Sequence, residues 1–204
     1  MSFMVGFDLD MTLVDSRDGI TFTMEMVLSE LGVFVSREEL YNTIGLPLWD
    51  TFPKWIAADQ VDAAVARYRD LYKTVGIPIA TALPGAREAL NAIHAAGGRT
   101  MVVSAKLEEA VVKIVTFLDL PVDVVRGDLF AAAKATALLE ENAIIYIGDH
   151  PADVIGARTA GAVSVAVTTG PASREELEAE GADVILTDLR EFPHWFQGYL
   201  DKTR

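Results

Sequence analysis

Cysteine is absent from this 204-residue chain. Disulfides, thiolate metal sites and thiol nucleophiles are excluded together. Long hydrophobic runs are missing too. No apolar stretch approaches the roughly 20 residues needed to cross a bilayer. Positive charge is scarce: 17 Lys and Arg stand against 30 Asp and Glu, a formal net charge of −13. That balance argues against a general basic surface for nucleic acid or anionic membrane. It leaves room for a small phosphorylated ligand, because one metal ion and one or two lysines reverse the sign locally. There is no internal repeat and no low-complexity tract. The first strand starts by about residue 3, which leaves no secretory signal ahead of it. A soluble cytoplasmic protein is expected, with one domain plus an insertion or two small domains. Its oligomeric state is not legible.

What is present is organised around Met4 to Ser16. Phe3-Met4-Val5-Gly6-Phe7 is a short apolar run, of the length and content of a buried parallel strand. Two carboxylates follow one residue apart, Asp8 and Asp10, and then Thr12. Acids at a strand end place charge at the carboxyl edge of a sheet, where open α/β folds keep their ligand crevices. After Ser16, Ile20, Met24, Val27, Leu28 and Leu31 recur at helical spacing up to Gly32. Ser36 and Glu39 form a capping box for a short helix to about Ile44. Leu48 to Ile56 carries Trp49, Phe52 and Trp55, read as the core of a small helical unit, with the alternative that one of them faces the cleft. A longer amphipathic helix runs from Val61 to Val75. Residues 17–80 therefore read as all-helical. From Leu83 the pattern turns α/β. Strands are expected at Arg99–Val103, Val122–Val125, Ala143–Ile147, Ala162–Val167 and Val184–Leu186, with helices between them, one of them alanine-rich from Leu129 to Glu140. Alternation of this kind predicts a parallel, doubly wound sheet.

If the strands are parallel, their polar ends meet at one edge: Asp8 and Asp10, Ser104, and Asp149 with Asp153, with Lys134 on the helix ahead of the last pair. Taken singly, each has a bland explanation. Asp8 and Asp10 suit a turn, Asp149 a helix cap, Asp153 a first helical turn, and Lys134 an exposed helix. Together the carboxylates repel unless a cation sits among them, and an all-oxygen donor set suits Mg²⁺. A lysine and a hydroxyl beside such an ion make a phosphate site. A carboxylate next to a bound phosphoryl group can attack it, and a second acid can move the proton. Lys106, the rival lysine, reads as a solvated helix start. His94 and His194 read as surface residues, and His150 lies beside the site.

Phe7-Asp8-Leu9-Asp10-Met11-Thr12 resembles the first motif, D-x-D-x-T, of the haloacid dehalogenase superfamily. Val102-Val103-Ser104 resembles its second motif. Lys134 sits where the third-motif lysine belongs, and Gly148-Asp149-His150-Pro151-Ala152-Asp153 resembles the fourth, G-D-x-x-x-D. The order and spacing resemble the phosphoglycolate phosphatase-like members across the whole chain. The resemblance implies a Rossmann-like α/β core at residues 1–16 and 81–204 with an inserted helical cap at 17–80. It implies an Mg²⁺-dependent phosphatase acting on a small phosphomonoester, phosphoglycolate or a sugar phosphate, through an aspartyl-phosphate. Asp8 would be the nucleophile and Asp10 the general acid/base. The Asp8 carboxylate, the Asp10 carbonyl and Asp149 would hold the metal, with Asp153 in support. Ser104, Ala105 and Lys134 would hold the phosphoryl oxygens, and Thr12 would belong to the same phosphate loop and position it. Met11 replaces the usual glycine, so the turn after Asp10 either changes its backbone angle or presents a thioether to the cleft. Ala105 replaces a frequent asparagine, and His150 a more usual serine. A phosphomutase, a pyrophosphatase or a nucleotidase on the same scaffold are the competing activities. A dehalogenase is disfavoured by Asp10, a receiver domain by chain length and the helical insert, and a binding-only protein by the intact acids.

Overall fold

The computed structural model describes residues 3–203. Among the described residues, eight strands and ten α-helices follow one another, with short 3₁₀ turns between some of them. In chain order they are β1 (Met4–Phe7), β2 (Val14–Asp15), α1 (Arg17–Glu30), α2 (Arg37–Tyr41), α3 (Leu48–Thr51), α4 (Val61–Thr74), β3 (Thr81–Ala82), α5 (Ala86–Ala95), β4 (Arg99–Val103) and α6 (Glu108–Phe117). Then come β5 (Val124–Arg126), α7 (Lys134–Glu140), β6 (Ala143–Gly148), α8 (Pro151–Ala160), β7 (Val163–Val167), α9 (Arg174–Glu180), β8 (Val184–Leu186) and α10 (Phe192–Thr203).

Six strands form one parallel sheet in the order β5-β4-β1-β6-β7-β8. β1 is central and buried along its whole length. Its alternate side chains serve two cores, which is why it reads as an unbroken apolar run. Val5 and Phe7 face the core that holds Leu90 and Ile93 of α5, Ile114 of α6 and Phe192 of α10. Met4 faces the opposite core with Met101, Tyr146, Leu138 of α7 and Ala157 of α8. The chain moves outward from β1 to β4 and β5, then returns to β6 and moves outward the other way. The strand order thus reverses between β1 and β6, and a crevice at their carboxyl ends follows from that reversal.

Among the described residues, 17–80 contain no strand. The segment leaves and rejoins the rest of the chain at one place, because β2 pairs antiparallel with β3, Val14 opposite Ala82 and Asp15 opposite Thr81. The Ser36–Glu39 capping box forms as expected, but α2 stops at Tyr41 rather than Ile44. The alanine-rich stretch is not one helix either. Ala131 takes φ +47°, Ala131–Ala133 is a 3₁₀ turn, and α7 begins at Lys134. The strand expected at Val122–Val125 begins two residues later and ends one residue later, at Val124–Arg126. Phe52 is fully buried, whereas Trp49 is 46% exposed, so Trp49 is not part of that core.

Candidate active site

Asp8 follows directly on β1 and Asp149 directly on β6, side by side because the two strands are parallel neighbours with Phe7 opposite Ile147. Asp153 lies in the first turn of α8, and Lys134 opens α7. Lys134 Nζ donates to Asp8 Oδ1 at 2.6 Å, to Asp153 Oδ1 at 2.6 Å and to the Tyr146 hydroxyl at 3.0 Å. These three contacts use the three donors of an ammonium. The Tyr146 hydroxyl in turn donates to the Val103 carbonyl at 2.7 Å, which ties the group to the end of β4. Tyr146 was not read as part of the site. Its signal is a polar tip in an otherwise aliphatic buried strand, since such a hydroxyl needs a partner.

Thr12 corrects one expectation. It is fully buried and does not line the cleft. Its hydroxyl donates to Asp149 Oδ1 at 2.8 Å, so it orients a carboxylate rather than touching a phosphate. Two glycines make room for the acids. A Cβ at Gly148 would fall on the Asp153 carboxyl group, and one at Gly170 on Asp149 Oδ2. Met11 resolves the two alternatives left by the missing glycine. It takes the left-handed conformation, φ +60°, and its side chain is buried in the core instead of facing the cleft. Thr169 helps to hold that turn by donating to the Met11 carbonyl at 2.5 Å.

Lys106 is a second correction. It is no solvated helix start: its side chain is 10% exposed, and Nζ lies 3.3 Å from Asp10 Oδ2. Tyr68 and Tyr72 of α4 close over this loop, and the ammonium sits 4.2 Å from the Tyr72 ring centroid. The Asp10 side chain therefore points to Lys106, while Asp8, Asp149 and Asp153 gather elsewhere. Ser104 is buried at the end of β4 and its Oγ accepts from the Lys106 N–H at 3.2 Å. Ala105 lines the cleft beside it. His150 lines the opposite wall. Its Nδ1 accepts from the Ala152 N–H at 3.0 Å, which puts the proton of the neutral ring on Nε2. Burial lowers the pKa of His150 and favours that neutral form. Trp49, with Arg69 stacked 4.7 Å from its ring centroid, reaches the same cleft from the helical segment. His94 is half-buried on α5, hydrogen-bonded to Asp123 at 2.9 Å and outside the cleft; His194 is exposed.

Carboxylate oxygens of Asp8, Asp149 and Asp153 lie within 4.8 Å of one another, and all three residues are buried. Three carboxylates against one ammonium leave two negative charges with no protein partner of opposite sign. Burial pushes the Asp8 pKa up to about 7, against the pull of Lys134 and with Asp153 and Asp10 adding to the rise. Burial likewise holds Asp149 well above the usual carboxylate range, with Asp153 and Asp8 reinforcing it. Burial alone would lower Lys134; the charges of Asp153 and Asp8 outweigh it and hold the ammonium well above the usual lysine range. Hard oxygen donors carrying two surplus charges fit a divalent cation.

The chain matches the haloacid dehalogenase-like hydrolase family over residues 5–167. It belongs to that family. This hydrolase is 31% identical to the phosphoglycolate phosphatase of Rhodospirillum rubrum, over 93% of the chain and 88% of that protein. It is 29% identical to a probable phosphatase, IndB, of Dickeya dadantii, over 94% of the chain and 92% of that protein. Among solved structures, a predicted phosphatase from Clostridium acetobutylicum superimposes with a TM-score of 0.87 at 27% identity, covering 97% of this hydrolase and 99% of the other. Within the family the chain is phosphoglycolate phosphatase-like, and its parallel α/β sheet is the one these relatives share.

Proposed function

We propose that this hydrolase is a Mg²⁺-dependent phosphatase that cleaves a small phosphomonoester through an aspartyl-phosphate on Asp8. The observation that carries this reading is the convergence of Asp8, Asp149, Asp153 and Lys134, all buried, at the carboxyl ends of β1 and β6. The Asp8 carboxylate, the Asp10 backbone carbonyl and Asp149 would hold the cation, with Asp153 beside them. When bound, the cation supplies positive charge against the phosphoryl oxygens and lets Asp8 stay ionised.

The chain's own residues would do the rest. Lys134 aims Asp8 through its 2.6 Å contact and offers its charge to the phosphoryl group. The Ser104 hydroxyl and the Ala105 N–H would bind the phosphoryl oxygens from the end of β4. An Asp8 oxygen attacks phosphorus as the ester oxygen departs, and Asp10 gives that oxygen its proton. Asp10 then takes a proton from the water that releases phosphate and regenerates Asp8. Residues 17–80 would act as a cap, turning on the β2–β3 pair and excluding water when closed. Limited room under such a cap, with a net charge of −13, favours one small phosphorylated metabolite over nucleic acid or phosphoprotein.

The test is a panel of phosphoglycolate, sugar phosphates, nucleoside monophosphates, pyrophosphate and a phosphopeptide, each with and without Mg²⁺. The highest kcat/KM is expected on a metabolite of two to six carbons, and only with the metal. A clear preference for the phosphopeptide would overturn the substrate class. Full activity in chelator, after stripping of adventitious metal, would overturn the metal requirement.

A further inference from the structure

Lys106 is a buried cation for which the reaction proposed above has no task. Among the described residues its carboxylate partner is Asp10, at 3.3 Å. The other Asp10 oxygen, Oδ1, is buried and has no hydrogen-bond partner among them. The acid assigned to protonate the leaving oxygen is thus held by one contact, to a lysine, with nothing fixing it toward Asp8. A buried carboxylate oxygen without a donor costs free energy, so this arrangement is poised to be exchanged.

Two other ion-paired cations lining the cleft, Arg69 and Lys113, differ in kind. Arg69 is 3.3 Å from Asp128 and Lys113 is 2.6 Å from Glu109; all four of these side chains are more than a quarter exposed, and those acids lie away from Asp8. Lys106, like Lys134, is both buried and bound to a group needed for the chemistry, but Lys134 already has its task there. Its position is also fixed. The Tyr72 ring lies against the ammonium at 4.2 Å, and the Lys106 N–H is tied to Ser104 Oγ at 3.2 Å, beside the assigned phosphoryl oxygens. A ligand that fills the space between Ser104 and Tyr72 meets this ammonium.

We propose that Lys106 is a positioning and specificity residue: it binds a second anionic group on the substrate, and that exchange frees the Asp10 carboxyl to turn toward the leaving oxygen. The substrate class is then a phosphomonoester that carries a further carboxylate or phosphate a few atoms from the reacting phosphorus. An ester with no second anionic group leaves the Lys106–Asp10 pair intact and Asp10 turned away. This deepens the phosphatase reading and rests on it.

The experiment compares phosphoglycolate, a sugar bisphosphate and ethyl phosphate on wild type, Lys106→Gln and Lys106→Arg, with Mg²⁺ present and the fold checked by circular dichroism. In wild type, kcat itself, and not only KM, should favour an ester with a second anion over ethyl phosphate; the carboxylate and phosphate arms show which anion is preferred. In Lys106→Gln the ratio of kcat/KM between that ester and ethyl phosphate should fall about 30-fold, the size expected for losing one charge-assisted contact. Lys106→Arg should restore most of the ratio. An unchanged ratio in Lys106→Gln, or Lys106→Arg behaving like Lys106→Gln, overturns the assignment of specificity. Equal wild-type kcat on esters with and without a second anion overturns the release of Asp10. Wild type inert toward every ester overturns the phosphatase reading and this proposal with it, whereas an active enzyme with an unchanged ratio overturns this proposal alone.

Discussion

At the scale of single residues, Asp8 has the clearest consequences. Asp8→Asn keeps the side-chain shape but cannot attack phosphorus, so turnover should fall by at least about a thousandfold while the protein stays folded. Near-wild-type turnover in a pure preparation would refute the nucleophile. The same variant has a stability signature. In the folded, metal-free protein Asp8 keeps its proton up to about 7, whereas the unfolded chain releases it near 3.8. Between those values the folded state binds more protons, so Asp8 lowers stability as pH rises through that window. Asparagine lacks this titration. In chelator, Asp8→Asn should therefore gain in melting temperature relative to wild type as pH is raised from about 5 to about 8; parallel curves would contradict it. Met11 tests two opposed effects. Its φ of +60° costs on the order of 1–2 kcal/mol in an L-residue, but truncating a fully buried Met costs about 2–5 kcal/mol. Met11→Gly should thus be net destabilising, by about 1–3 kcal/mol in urea unfolding; a stabilised variant would mean that strain dominates. Asp8, Asp149 and Asp153 were legible in sequence because strand ends in a parallel sheet share an edge. Lys106 was not, because Tyr68 and Tyr72, which bury it, lie more than thirty residues earlier on a helix whose docking no local pattern reveals. Thr12 was legible as part of the site, but not its partner Asp149, 137 residues away.

At the scale of elements, the strands were easier to read than the helix ends. β1, β4, β6 and β7 are short, mostly apolar runs, and burial on both faces of the sheet requires that composition. The alanine run before β6 misled, because helix propensity carries no information about the left-handed turn at Ala131. That turn matters: it opens the 3₁₀ segment Ala131–Ala133, which leads straight into Lys134, so that the lysine opens α7 and reaches Asp8. The loop after β7 has a comparable effect. Gly170 packs against Asp149, and a methyl group there would displace the carboxylate. Gly170→Ala should weaken Mg²⁺ binding by about 10- to 100-fold, the range seen when supports of metal ligands are altered. Titration calorimetry reads this directly, and wild-type affinity would show that the loop yields instead.

At the scale of the whole molecule, the proposed cation site ties stability to the concentration of the ion it would hold. A ligand that binds only the folded state adds about 2.7 kcal/mol at a hundred times its Kd. Mg²⁺ should therefore raise the melting temperature by several degrees over the chelated protein, with the shift growing with concentration; a flat response would mean that the acid cluster does not hold the ion. The placement of β1 has a further consequence, for biosynthesis. This strand is synthesised before both its neighbours, β4 from residue 99 and β6 from residue 143. At about 5–20 residues per second, a four-residue apolar strand waits for seconds to tens of seconds with both edges unpaired. Until then it is a template for pairing with other nascent chains. A stalled chain that ends before Ala143 would lack one flank of β1, along with Asp149 and Asp153. Such fragments should be clients of chaperones that shield short hydrophobic strands, and the acid cluster is then among the last parts of the molecule to be assembled.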